Sequence, residues 1–226
     1  MAYRFENITK SHDPRFNRSK TSADRIMRTQ DFKLMLRTLR TLPIPGTDWK
    51  RDYMIFLCMG NLGLRLSEVS ILKVSDFHLD YAPPFAKVRV LKKRKKDKQP
   101  YKEVYLHWRV VRKLQQYIGK LPRNQKYMFV GASSHHGESG HLSYREISRI
   151  FIRYCSHIGF KRKYSCHSVR HMFVTNLWRK TKDPIFVRHQ TGHASAGIGF
   201  SQASEDYLHL LEEDVPGLVA KMGFFI

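Results

Sequence analysis

The stretch Cys166-His167-Ser168-Val169-Arg170-His171-Met172-Phe173-Val174-Thr175-Asn176 most constrains how this chain can fold. Residues three and four apart are surface neighbours on a helix. Helical spacing therefore gathers His167, Arg170 and His171, while Met172, Phe173, Val174 and Leu177 supply apolar surface for burial. A largely buried helix that projects a guanidinium and imidazoles together points to a site that grips an anion. The plain alternative is a surface His and Arg that happen to align. The stretch alone does not separate the two.

The charge balance bears on that choice. Among 226 residues, 41 Lys and Arg stand against 19 Asp and Glu, a formal charge of +22. Such an excess indicates a polyanionic partner, most often nucleic acid, bound less tightly as salt rises. An acidic membrane surface is the weaker candidate, because no apolar run approaches the roughly 18 residues of a spanning helix. The first 20 residues lack the apolar core of a secretory signal. Cys58, Cys155 and Cys166 are too few and too irregularly spaced for a disulfide framework or a zinc site, so they read as reduced core residues of an intracellular protein.

Along the chain, residues 1–20 are polar and basic and read as a flexible arm. Phe32, Met35, Leu36, Leu39 and Leu42 form a helical stripe ended by Pro43 and Pro45-Gly46. A second helix runs from about Trp49 to Gly60, and Leu64 to Val69 opens a third across the turn Asn61-Leu62-Gly63. Arg65 lies there between two leucines, and a charge held against apolar neighbours needs a partner. Glu68 supplies one, either as a simple surface ion pair or by fixing the guanidinium while it holds a phosphate.

Residues 85 to 107 read as a β-hairpin, with Val88 and Val90 alternating in one arm and Val104 and Leu106 in the other. Between the arms runs Lys92-Lys93-Arg94-Lys95-Lys96-Asp97-Lys98, either a solvated basic loop or a DNA-contacting finger. A helix from Trp108 to Ile118 and a short strand from Tyr127 to Val130 follow. His135, His136 and His141 lack ligand-spaced Cys or carboxylate company, so no metal site is expected. Ser143-Tyr144-Arg145-Glu146 is a capping box opening a helix with Ile147, Ile150, Phe151, Tyr154 and Ile158 on its apolar face. Asp183-Pro184 starts another helix, Ser204 to Tyr207 a further short one, and residues 213–226 form an apolar tail. The expected class is mainly α with a small antiparallel hairpin (α+β).

In chain order the sequence offers Arg65, a basic hairpin, His167 with Arg170, His193 and Tyr207. Arginines can hold non-bridging phosphate oxygens as charge grows in a pentavalent transition state. A lysine on a hairpin can protonate a leaving hydroxyl, and a tyrosine can form a covalent ester. Such chemistry needs neither metal nor cofactor.

These residues, in this order, resemble the tyrosine recombinase (phage integrase) family. Gly63-Leu64-Arg65-Leu66-Ser67-Glu68 resembles its first arginine motif, and His167-Ser168-Val169-Arg170-His171 its H-x-x-R-H motif. Thr191-Gly192-His193-Ala194-Ser195 resembles its L-G-H-S motif, and Tyr207 stands where the nucleophile follows. The resemblance covers roughly residues 22 to 212. It implies the tyrosine recombinase catalytic-domain fold, over about residues 21–212, and site-specific cleavage and rejoining of double-stranded DNA by a dimer to tetramer. It also implies a cytoplasmic, nucleoid-associated setting. Arg65, Arg170 and His193 would bind the scissile phosphate, with Glu68 supporting Arg65. His167 would assist proton transfer from Tyr207, which would form a 3′-phosphotyrosyl link and expel a 5′-hydroxyl. The hairpin lysine aligns best with Lys93, with Lys92 or Lys95 as alternatives. Lys92, Arg94, Lys95 and Lys96 would contact DNA.

Three departures stand out. The gap from His193 to Tyr207 is longer than the family's usual spacing, which leaves cis or trans delivery of the tyrosine open. The family's separate helical core-binding domain has no counterpart in the roughly 20 residues preceding the catalytic part, and the initiating Met suggests a chain short by nature. Thr191 replaces the usual Leu, a minor packing change. A type IB topoisomerase would use similar residues to relax DNA, and a decayed DNA-binding module would have lost the chemistry. The apolar tail and the intact residue set favour the recombinase reading. The target sequence, and the choice among integration, excision, transposition, inversion and dimer resolution, are not encoded legibly.

Overall fold

The computed structural model describes residues 26–91, 101–131, 140–192 and 215–222. Its elements, in order, are α1 (Thr29–Thr41), α2 (Trp49–Leu62), α3 (Leu66–Ser70), β1 (Phe77–His78), β2 (Phe85–Arg89), β3 (Tyr101–Tyr105), α4 (Trp108–Ile118), α5 (Tyr144–Ile158), α6 (Cys166–Thr181) and α7 (Pro184–Thr191). A 3₁₀ turn over Val74–Asp76 precedes β1.

Helix α2 is the central element. Every residue from Asp52 to Leu62 is buried, and a helix covered all round belongs in the middle of a domain. Asp48 caps it by accepting from the Arg51 amide at 3.1 Å. Helices α1, α3, α4 and α6 pack around it. A Cβ on Gly60 would lie 2.1 Å from Phe32 Cζ, so the glycine is what lets α1 approach this closely. One turn earlier on the helix, Phe56 makes edge contacts with Phe151 and Tyr154 of α5, at centroid distances of 5.5 and 5.9 Å. Full burial of one such ring contributes on the order of 1.5–3 kcal/mol.

Local signals predicted two of the helix starts. Ser143 accepts from the Glu146 amide while Glu146 Oε2 accepts from the Ser143 amide at 3.0 Å. Asp183 accepts from the amides of Ile185 and Phe186 with Pro184 in the first turn. The five apolar residues predicted for α5 all face inward, although Ile158 is only half-buried.

Several expectations need correction. Leu42 is not part of the buried stripe of α1; it follows the last helical residue and is 67% exposed. The hairpin is a three-stranded antiparallel sheet in the order β1-β2-β3, and β1 is too short to leave a pattern. Lys87 stands opposite Glu103, which places Ala86, Val88 and Val104 on the buried face. Val90 lies beyond the end of β2 and is half-buried. The segment from Tyr127 to Val130 forms one isolated bridge, Lys73 to Tyr127, rather than a strand. All three thiols are free, with Cys58 and Cys166 buried and Cys155 half-buried.

The arm over residues 1–20, His135 and His136, and the short helix at Ser204 lie outside the described residues. The part of the tail over residues 215–222 is helical, and Val215, Leu218, Val219 and Met222 are buried. Met222 Sδ accepts from Gln190 Nε2 of α7 at 3.1 Å. No described helix is long and apolar enough to cross a membrane.

Candidate functional site

The site is built around Glu68, a carboxylate with no exposed side-chain surface. Its Oε2 accepts from the Arg65 backbone amide at 2.9 Å and its Oε1 from Arg65 Nη1 at 2.9 Å. Arg65 precedes α3, so Glu68 in the first turn satisfies a helix-start amide and fixes the arginine at once. Arg65 keeps 25% of its side chain exposed. Its guanidinium is thus anchored at one side and open to solvent at the other.

Arg170 arrives from α6, with 3% of its side chain exposed and Nη1 4.0 Å from Glu68 Oε2. Its Nη1 donates to the Gly63 carbonyl and its Nη2 donates to the Thr191 carbonyl at 2.8 Å. Both carbonyls sit just before or after a left-handed turn that ends a helix. Gly63 closes α2 at φ 64° and Gly192 closes α7 at φ 60°. Arg170 therefore uses carbonyls left without helical partners at helix ends. A Cβ on Gly63 would lie 2.2 Å from Phe173 Cδ1, so the glycine leaves space for the ring that follows Arg170 on α6.

A third cation, Lys102 of β3, reaches the same carboxylate. Its Nζ donates to Glu68 Oε2 at 3.2 Å and to the Thr191 carbonyl at 3.1 Å. Sequence reasoning does not single it out, because the denser run from Lys92 to Lys98 holds six other cations. Its position in the strand did carry a weak signal. Lys102 alternates with Val104, which puts both on one face of β3.

The electrostatics follow from this crowding. Burial alone would raise the Glu68 carboxyl, but Lys102, the Arg65 amide and the Arg65 guanidinium outweigh it and hold Glu68 below the usual carboxylate range. Burial pushes Lys102 down to about 8, against the pull of Glu68 and with the repulsion of Arg170 and Arg65. Burial and then Arg65 lower Arg170 to about 10. Three cations from three segments surround one carboxylate, so this floor has an excess of positive charge suited to an anion.

His167 sits one turn before His171, with ring centroids 4.4 Å apart in an edge-to-face arrangement. Partial burial, then His171, Arg170 and Arg65, hold His167 toward its neutral form. His171 is shifted the same way by burial and Arg170. A neutral imidazole beside two guanidiniums can accept a proton, which is what a hydroxyl nucleophile requires.

Arg65, Glu68, His167 and Arg170 are thus gathered as predicted, although α3 and α6 are distant in sequence. Lys92, Lys93, Arg94, Lys95, Lys96, His193 and Tyr207 lie outside the described residues. Gly192, immediately before His193, ends α7 beside Lys102. Among the described residues no cluster of His, Cys, Asp and Glu could hold a metal ion.

The chain is similar to known proteins. A tyrosine recombinase of Pseudothermotoga lettingae is 29% identical over 168 residues, covering 73% of this chain and 51% of that protein. Tyrosine recombinase XerC of Neisseria meningitidis serogroup B is 29% identical over 179 residues, covering 77% of this chain and 55% of its own. The chain thus spans about half the length of these relatives. The crystal structure of XerH site-specific recombinase bound to its difH substrate shares the fold at a TM-score of 0.59 and 22% identity, over 84% of this chain and 52% of that one. A sequence model of the phage integrase family matches residues 25–211. With its two arginine motifs folded onto one buried glutamate, this chain belongs to the phage integrase family.

Proposed function

We propose that the chain is a site-specific DNA recombinase that cuts and rejoins double-stranded DNA through a 3′-phosphotyrosyl intermediate. The observation that carries this reading is the convergence of Arg65 and Arg170 on Glu68. Two guanidiniums held by a shared carboxylate form a rigid receptor for a phosphodiester. Tyr207 Oη attacks phosphorus while His167 takes its proton. The phosphorus–O5′ bond breaks, and the leaving 5′-oxygen takes a proton from the hairpin lysine, assigned to Lys93. His193 is a further donor to the non-bridging oxygens. A 5′-hydroxyl of the partner strand then attacks the phosphotyrosine and frees Tyr207. Neither metal nor ATP enters.

The charge of +22 supports a DNA partner. On α5, Arg145, Arg149 and Arg153 recur at four-residue spacing on the exposed side, and with Lys92, Arg94, Lys95 and Lys96 they form the proposed DNA-contacting set. Assembly as a dimer to tetramer on DNA follows the resemblance; residues 213–226 would dock on a neighbouring subunit only by giving up the contacts that bury Val215, Leu218, Val219 and Met222 within this chain. The same reading sets the arm at residues 1–20 and the catalytic domain at 21–212.

The test is a nicked-duplex trapping assay in EDTA, on DNA from the source replicon, with wild type beside Tyr207→Phe. A covalent band that requires Tyr207 is the expected result. A band that persists in Tyr207→Phe would assign another nucleophile. Absence of any band on DNA that the protein binds would favour a binding module without catalysis.

A further inference from the structure

Lys102 has no role in the chemistry just proposed, yet it is one of the most enclosed cations in the molecule, with 9% of its side chain exposed. Its Nζ is directed at the floor of the site, between Glu68 Oε2 and the Thr191 carbonyl. Each acceptor has an arginine donor of its own, Arg65 for Glu68 and Arg170 for Thr191. Removing Lys102 would therefore leave both arginines anchored. The tie that disappears is the one from β3 to Glu68, together with one of the strand's fastenings to α7.

That tie is supported along its length. A Cβ on Gly192 would lie 2.9 Å from Lys102 Cδ, so the glycine provides the channel through which the lysine stem passes. Three residues along β3, the Tyr105 amide donates to Gln190 Oε1 at 2.8 Å, and Gln190 Nε2 donates back to the Tyr105 carbonyl at 3.3 Å. The strand is thus fastened to α7 twice, and only at Lys102 is it also fastened to Glu68. Strand β3 is the returning arm of the hairpin whose intervening segment carries Lys92, Lys93 and Lys95.

We propose that Lys102 is a positioning residue that locks the β2–β3 hairpin to the Glu68 cluster, so that the hairpin's lysine meets the leaving 5′-oxygen. The proposal rests on the strand-cleavage reading given above. It assigns Lys102 no contact with the DNA. Two of its three ammonium donors are held by Glu68 Oε2 and the Thr191 carbonyl on the floor of the site, which fits an anchor of the strand.

Three measurements on Lys102→Met, which keeps the stem without the charge, test this. The first is amide hydrogen exchange. Exchange over β3 should rise at least tenfold while α2 stays protected. Unchanged β3 exchange would overturn the proposal whether or not the protein cleaves DNA, which separates this failure from failure of the strand-cleavage reading. The second is the cleavage rate on an ordinary nicked duplex against one carrying sulfur at the bridging 5′ position. A thiolate leaves without protonation, so a residue acting through proton delivery loses its effect on that substrate. Lys102→Met should be slower by 10-fold or more with oxygen and within about threefold of wild type with sulfur; an equal defect on both would overturn the proposal. The third combines Lys102→Met with alanine at Lys92, Lys93 and Lys95. Positioning predicts no further loss beyond the triple-alanine chain. If that chain cleaves at the wild-type rate, Lys102 is itself the proton donor and the positioning role is wrong.

Discussion

Asp52 and Glu68 are both fully buried carboxylates, and the protein treats them in opposite ways. Asp52 has one cation, Arg51, whose Nε and Nη2 both donate to Oδ1 at 3.1 and 2.9 Å. Its Oδ2 has no hydrogen-bond partner among the described residues. Burial dominates and raises its pKa, making it a weaker acid, with Arg51 only partly opposing. Glu68 has both oxygens bonded and cations from three segments, and is held below the usual range. A sequence neighbour can supply one partner to a buried anion. Keeping that anion fully charged takes donors that tertiary contacts bring from elsewhere.

The largest way to break the contrast is Glu68→Gln. It leaves Arg65, Lys102 and Arg170 together without their anion, and breaking a buried ion network costs about 3–5 kcal/mol. Urea denaturation should show a loss near the lower end, because Arg65 is 25% exposed, and covalent trapping of nicked DNA should fall by at least 100-fold.

Next comes Gly63→Ala, which disturbs the same site without touching a charge. Its φ of 64° and the overlap with Phe173 together cost about 2–3 kcal/mol. The melting midpoint should drop accordingly, and DNA cleavage should weaken because the Gly63 carbonyl positions Arg170.

The pH dependence separates the two carboxylates by sign. Glu68 is lowered from 4.5, so the stability it contributes is complete above that value and is lost as pH falls through its folded-state range. Asp52 is raised from 3.8, so the folded chain binds its proton more tightly and stability falls as pH rises from 3.8 toward the folded-state value. Melting curves from pH 3 to 7 should show Glu68→Gln flattening the acid-side rise and Asp52→Asn removing the opposing decline. Parallel curves for the two variants would contradict the contrast.

The smallest expected effect is Asp52→Asn at neutral pH, a change within about 1 kcal/mol of wild type, because an amide avoids burying a charge while still accepting from Arg51. A loss of about 3 kcal/mol would mean that the Asp52 anion matters as much as that of Glu68.

The motifs around Arg65 and Arg170 were legible because the chemistry proposed for them is carried by residue type and local spacing. Lys102 was not. Six other cations crowd the run from Lys92 to Lys98, and nothing in the sequence says which lysine of a hairpin turns inward. Leu42 and Val90 failed for a related reason: an apolar residue one step past the end of an element keeps the pattern but loses the packing.

By itself the sequence determined what depends on near neighbours: the capping box of Ser143 and Glu146, the Asp183-Pro184 start, the apolar face of α5, and the Arg65–Glu68 pair three residues apart. Tertiary structure alone decided what depends on segments far apart in the chain. It chose Lys102 over the other hairpin cations, directed Arg170 to the carbonyls of Gly63 and Thr191, and left Asp52 with one partner and Glu68 with three. The physical reason is that caps and stripes repeat over one or two helical turns, whereas the ionisation of a buried group is set by every charge and dipole folded around it.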